Sequence, residues 1–251
     1  MTYTLPGIAP LRNVAALVTL MRRLADQSPL LPKMGCFYGP AGDGKTSAAA
    51  YARNQFDALL IECRSTWNRS DVCKTVLREL GLKPKGTINQ MCEALAEQLL
   101  LDDRPLIVDE ADLIVKKGQG EIFRDIYEMS KVPVILIGEE RFPQMLQAAG
   151  ERMHGRIADW VSTEAAELAD VTHLASLYAP GVKISPDLTE RLLVESKHSV
   201  RRICINLENI RALAQLLGLT EIDPDVWGEK TFYTGQAPAP RADASARGRA
   251  V

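Results

Sequence analysis

Gly39-Pro40-Ala41-Gly42-Asp43-Gly44-Lys45-Thr46 stands between a short apolar run at 34–38 and an alanine-rich segment at 45–54. The apolar run reads as a buried strand and the alanine-rich segment as a helix, so the glycines occupy a strand-to-helix turn. This context and spacing are those of a Walker A loop. The glycines let backbone N–H groups approach phosphate oxygens, and the helix aims its positive end at the same point. Lys45 is expected to neutralise the β- and γ-phosphates of ATP, and Thr46 to place its hydroxyl on Mg²⁺, which prefers oxygen ligands. The candidate nucleotide contacts are Gly39, Pro40, Ala41, Gly42, Asp43, Gly44, Lys45, Thr46 and Ser47.

Leu106-Ile107-Val108-Asp109-Glu110 is an apolar strand ending in two carboxylates, at a distance downstream that several βα units would fill. It reads as a Walker B. Asp109 would hold the Mg²⁺ shell through water, and Glu110 would orient and polarise the attacking water. Further strands are expected at 58–62, 132–137 and 159–162, and helices at 9–27, 70–80, 88–101 and 120–130. Such alternation predicts an α/β fold, a parallel sheet covered by helices on both faces. After residue 164 the strands are expected to stop, with helices at 169–178, 186–195 and 200–217. Ser185-Pro186 supplies an N-cap and an N1 proline there, and Gly218 a stop.

The expected division is an N-terminal helix plus α/β ATPase domain at 1–163, a small helical lid at 164–234 and a tail at 235–251. The tail is rich in Ala, Pro, Gly and Arg without apolar periodicity, which predicts disorder in isolation. Its Arg241, Arg247 and Arg249 could touch phosphates or serve only as solvated charge.

A chain of 251 residues with 46% hydrophobic content can bury a substantial core. No apolar run approaches the ~20 residues that a spanning helix needs, so a cytoplasmic protein without membrane contact is expected. The cysteines (Cys36, Cys63, Cys73, Cys92 and Cys204) contain no CxxC pair, and His154, His173 and His198 form no ligand spacing with them. Neither a zinc site nor a disulfide framework is suggested. With a net charge of −2, bulk electrostatics neither demands nor excludes nucleic acid, and any DNA contact must come from a local basic surface.

Walker A, LIVDEAD at 106–112, VPVILIGEE at 132–140, ERMHGRIADW at 151–160 and HSVRRICINLENI at 198–210 occur in this order. The order resembles that of AAA+ ATPases, and within them the transposition protein B family of Mu-like phages (MuB) with its TniB/TnsC and ExeA-type relatives. The resemblance covers about residues 10–219 and implies a P-loop AAA+ fold. It makes Arg201 the sensor 2 contact to the γ-phosphate, with His198 in place of the usual glycine of that motif. Arg152 and Arg156 flank the position of an arginine finger, with Arg156 favoured, and Glu139 occupies the sensor 1 spot at the end of its strand. Arg64, Thr66 and Arg69, and Lys116 and Lys117, fall where AAA+ rings present pore loops, a setting that suits sequence-blind contact with DNA phosphates.

The resemblance further implies an ATPase that binds double-stranded DNA nonspecifically, self-assembles with ATP into a ring or helical filament, and delivers target DNA to a transposase in the bacterial host cytoplasm. The helix-turn-helix region that the larger family member carries ahead of its ATPase is expected to be absent or replaced, since only about 30 residues precede the first strand. Two other readings compete: an AAA+ regulator or secretion-type, ExeA-like ATPase acting on protein, and a small-molecule kinase. The kinase is disfavoured because Glu110 behind Asp109 suits the activation of water.

Overall fold

The computed structural model describes residues 11–237, so the tail arginines 241, 247 and 249, and the first two positions of the expected 9–27 helix, lie outside the described residues. The chain opens with α1 (Arg12–Asp26), then alternates β1 (Met34–Tyr38), α2 (Lys45–Phe56), β2 (Leu59–Glu62), α3 (Arg69–Glu79), α4 (Ile88–Asp102) and β3 (Leu106–Asp109). It continues through α5 (Asp112–Val115), α6 (Glu121–Ser130), β4 (Val134–Gly138), α7 (Phe142–Ala148), α8 (Glu151–His154) and β5 (Ile157–Ser162). The five strands form one sheet in the order β2-β3-β4-β1-β5, and every pairing is parallel.

Strand alternation divides the core into two layers. Met34, Cys36, Leu106, Val108, Val134 and Leu136 face the layer made by α3, α4 and α6. Their neighbours Phe37, Ile107, Ile135 and Ile137 face the layer that contains α1 and α2. Successive side chains point to opposite faces, and both faces are covered, so these strands are apolar at nearly every position.

The alanines of α2 have a packing role. Ala48, Ala49 and Ala52 are wholly buried, and their small side chains let α1 and the sheet close on the helix from both sides. Gly35 allows the same close approach on β1: a Cβ there would lie 2.8 Å from Leu24 Cδ1 of α1.

Downstream come α9 (Leu168–Tyr178), β6 (Lys183–Ile184), α10 (Pro186–Glu195), α11 (Val200–Leu217), β7 (Glu221–Ile222) and α12 (Pro224–Trp227). The expectation that strands stop after residue 164 is corrected, because β6 and β7 pair in parallel as a small second sheet. Two residues per strand are too few to show a period of two. The four-residue helices α5, α8 and α12 and the seven-residue α7 escaped the sequence for the matching reason, since they complete at most two turns. The chain after α12 returns to α11: Asn206 Nδ2 donates to Tyr233 O at 3.1 Å, and its Oδ1 accepts from Tyr233 N at 2.7 Å. Trp227 and Phe232 are buried and stacked, with centroids 4.7 Å apart.

Asn13 is a lone amide on the apolar stripe of α1 and is 5% exposed. Its Nδ2 donates to Asp43 O at 3.0 Å and Glu164 O at 2.9 Å, while its Oδ1 accepts from Glu164 N at 2.8 Å. One side chain thus joins α1, the glycine-rich loop and the chain leaving β5. Asn13→Ala would leave these buried backbone groups without partners, a loss of roughly 2–4 kcal/mol. We expect a lower urea midpoint at unchanged slope; an unmoved midpoint would show that water replaces the amide.

Candidate active site

The carboxyl ends of β1, β3, β4 and β5 converge, which is where open parallel sheets bind ligands. From β1 the chain enters the 39–46 loop, where Gly42 and Gly44 take φ of 97° and 85°, and Gly44 in the left-handed region caps α2. A Cβ on Gly42 would lie 2.7 Å from Ser199 Oγ, and one on Gly39 would overlap Thr163 Oγ1. Thr163 Oγ1 instead donates to Asp43 Oδ2 at 2.8 Å, clipping the loop to the end of β5. Burial raises the Asp43 carboxyl above its ordinary pKa.

Lys45 is buried and donates to the Gly39 and Pro40 carbonyls of its own loop at 2.7 and 2.8 Å. Burial lowers its pKa although Asp43, Glu110, Asp109 and Glu139 all act to raise it. Thr46 Oγ1 donates to Asp109 Oδ2 at 2.8 Å, which brings the last residue of the loop onto the end of β3. Glu110 N donates to Asp109 Oδ1 at 3.0 Å. Glu110 itself has φ 54°, a left-handed conformation rarely taken by a residue with a side chain, and it turns the carboxylate toward the same opening.

Burial raises the pKa of Glu110, with Asp109 and Asp112 adding to the effect. Asp112 is raised chiefly by burial as well, and its Oδ1 has no hydrogen-bond partner among the described residues. Several carboxylates therefore crowd one ammonium. Together with the paired Thr46 hydroxyl and Asp109 carboxylate, hard oxygen donors side by side, this donor set fits Mg²⁺.

These groups open into a cavity of about 720 Å³ lined by polar and apolar residues. Its lining includes Gly42, Gly44, Lys45, Thr46, Glu110 and Glu139. Leu11, Ala50, Leu177, Tyr178, Val200 and Ile205 supply apolar lining, which suits a flat heterocycle. Ser47 and Ala41 also line the cavity. Arg201 borders it from α11, and its backbone N–H donates to Gly42 O at 2.9 Å. His198, standing where the resemblance leads one to expect glycine, adopts φ 57°. It is held there by its ring Nδ1, 2.9 Å from Ala166 O, and by Ala166 N donating to His198 O at 3.0 Å.

The other candidates lie elsewhere. Arg152 and Arg156 meet Arg124, Glu128 and Glu151 around a separate depression of about 500 Å³, and Arg156 is ion-paired with Glu128. Arg64, Thr66 and Arg69 are exposed after β2, and Lys116 and Lys117 are exposed after α5. Sequence reasoning missed Asn13, Thr163, Asp112, Glu128 and the apolar lining. Only Asn13 carried a signal, an uncharged polar residue on an apolar stripe.

The electrostatics of Glu110 yield a pH signature. Because its folded-state pKa is raised, its ionisation opposes folding once pH exceeds the ordinary Glu value of 4.5. Glu110→Gln should therefore be more stable than the parent protein at pH 7, with the gain vanishing as pH falls below that value. Urea midpoints at the two pH values measure it. A pH-independent difference would mean that the carboxylate is not strained by its surroundings.

With this geometry in hand, the comparisons agree on the fold. Residues 31–146 match the family model described as an AAA domain. No curated protein matches the chain in sequence. The chain is similar to the Aeropyrum pernix ORC1 protein in complex with DNA, at TM-score 0.63 and 16% identity over 88% of this chain and 64% of that one. It is similar to the Aeropyrum pernix ORC2 protein in its ADPNP-ADP complexes, at TM-score 0.66 and 16% identity over 90% and 68%. It is also similar to the Thermotoga maritima RuvB Holliday junction branch migration motor, at TM-score 0.58 and 15% identity over 86% and 66%. The chain thus spans 64% of the ORC1 protein's length and 68% of the ORC2 protein's. Its five-stranded parallel sheet flanked by helices is the α/β P-loop AAA+ fold.

Proposed function

We propose that this chain is a Mg²⁺-dependent ATPase that binds double-stranded DNA without regard to sequence, assembles on it as an ATP-dependent ring or helical filament, and delivers it to a transposase. The observation that carries the reading is that Lys45, Thr46 and Glu110 line one cavity together with apolar side chains, with Asp109 bonded to Thr46 behind them. Lys45 leaves the Gly39 and Pro40 carbonyls for the β- and γ-phosphate oxygens, and the loop amides receive the rest of their charge. Thr46 and Asp109 would hold Mg²⁺, which supplies charge neutralisation at the phosphate oxygens. Glu110 orients the attacking water and accepts its proton, a task that its raised pKa suits. Glu139 borders this water from the end of β4.

Residues 164–234 act as a lid over the α/β domain at 1–163. Arg201 reaches the γ-phosphate from α11, the helix whose first turn already rests on Gly42. Arg156, with Arg152 beside it, serves the next subunit's γ-phosphate in trans. Their position on a depression apart from the nucleotide cavity supports this, since a finger cannot serve the site of its own chain from there.

DNA as partner is supported by the exposed Arg64, Thr66, Arg69 and Lys116 and by the fold likeness to the ORC1 protein solved with DNA and to the RuvB motor. The transposase rests on the motif resemblance to the transposition protein B family. The competing reading, an ATPase acting on protein, requires an ATPase rate that is indifferent to DNA.

Mixing tests the trans role: Glu110→Gln and Arg156→Ala each lower hydrolysis about 10²-fold or more, and their mixture regains a measurable fraction because some interfaces pair an intact finger with an intact Glu110. No recovery despite demonstrated co-assembly would place the finger elsewhere. Plasmid DNA should raise the ATPase rate, and duplex affinity should be lost when ATP is replaced by ADP. A rate unmoved by plasmid, with equal affinity in both nucleotide states, would overturn the DNA reading in favour of a protein substrate.

A further inference from the structure

The loops that leave β2 and α5 are bonded to each other. Lys117 Nζ donates to Ser65 O at 2.5 Å and to Trp67 O at 2.6 Å. Gln119 Oε1 accepts from Arg69 N at 2.9 Å, and Arg69 Nη2 reaches Gly118 O at 3.4 Å. Beneath them Cys63 N donates to Asp109 O at 2.9 Å, so the first loop leaves β2 beside the end of β3, from which the chain runs on into α5. On the far side the 116–120 segment folds back onto α5: Lys116 N donates to Asp112 O at 2.8 Å, and Lys117 N and Gln119 N both donate to Ile114 O at 3.2 Å. Ile114 is fully buried, so this anchor is part of the core.

Two consequences follow from the chemistry of these bonds. An ammonium has three N–H donors, and Lys117 uses two of them on carbonyls of the opposite loop. The N-terminus of α3 is likewise closed: Gln119 takes the Arg69 amide, and Asn68 Oδ1 takes those of Ser70 and Asp71 at 2.8 and 3.2 Å. Lys117 and the α3 amides are therefore held mainly by acceptors of the protein itself. The cations left facing outward are Arg64 and Lys116, with Arg69 beside them.

We propose that Lys117 is a positioning residue that staples the 64–69 loop to the segment behind α5, so that Arg64, Arg69 and Lys116 meet duplex DNA as one surface tied to Asp109 and Glu110. The duplex contact rests on the function proposed above; the staple does not. Each cation held in place by the staple enters the complex without first being ordered, which is affinity that Lys117 supplies while contacting no phosphate.

Hydrogen exchange on the full chain without DNA tests the staple. Lys117→Met keeps the aliphatic stem and removes the donors, and should speed exchange at the Trp67, Arg69, Gly118 and Gln119 amides together by roughly tenfold. Lys116→Met should leave them unchanged, and Lys117→Arg, which retains donors, should restore protection. Affinity for a labelled duplex is then followed against salt with ATP and Mg²⁺. Lys117→Met should weaken binding at every salt concentration with the slope unchanged, whereas Lys116→Met should lower the slope by roughly one unit. Unaltered exchange in Lys117→Met would overturn the proposal, as would a slope lowered by about one unit in that variant, which marks a direct phosphate contact. If the parent protein binds no duplex, the DNA reading fails, and the exchange arm alone decides the staple.

Discussion

The backbone of the 39–46 loop can receive an anion only if it is held open while its own carbonyls are satisfied from outside. Every neighbouring element contributes to that condition. Asn13 of α1 takes Asp43 O, Thr163 beyond β5 takes the Asp43 carboxylate, and the first turn of α11 takes Gly42 O through the Arg201 amide. Lys45 occupies the Gly39 and Pro40 carbonyls from within. This short loop thus gathers three elements that are distant from one another in the chain. Their mutual packing follows from serving one short stretch of backbone, since buried polar groups left unpaired would cost more than the cavity could recover.

The second organising feature is an imbalance of charge. Carboxylates from β3, α5 and the end of β4 surround a single buried ammonium; burial, reinforced by neighbouring carboxylates, raises Glu110 and Asp112, whereas burial lowers Lys45 against the opposing effect of those carboxylates. Taking charge out of water and placing like charges together both cost free energy, and a cluster perturbed in this way is the mark of a functional site. The left-handed backbone of Glu110 is strain of the same kind, placed where the side chain must project into the cavity.

Away from this centre, positive side chains are arranged by their own bonds. Arg156 is paired with Glu128, whose carboxyl is held below its ordinary pKa by Lys131 and Arg156. Lys117 is bonded to carbonyls of a neighbouring loop. Residues alike in a sequence, two adjacent lysines at 116 and 117 for example, thereby acquire different surroundings.

Much of the fold was legible in the chain by itself. Walker A and Walker B announce themselves through glycines at set spacing and through an apolar strand ending in acids. Strands buried on both faces read as continuous apolar runs, and the bounds of β1, α10 and α11 agree with the sequence reading residue for residue. These are local signals, set by backbone sterics and by periodicity. The two-residue strands β6 and β7, the clip from Thr163 to Asp43, the Asn13 bridge, the apolar lining of the cavity and the partner of Lys117 were not legible. Each depends on groups distant in sequence arriving within hydrogen-bonding or van der Waals reach. The sequence by itself determined the glycine-rich loop, the acidic strand end and the order of the longer elements. Only the tertiary structure decided which side chains hold that machinery and which are left to meet a partner, because a side chain's role is settled by the nearest available acceptor, and that distance exists only in the folded chain.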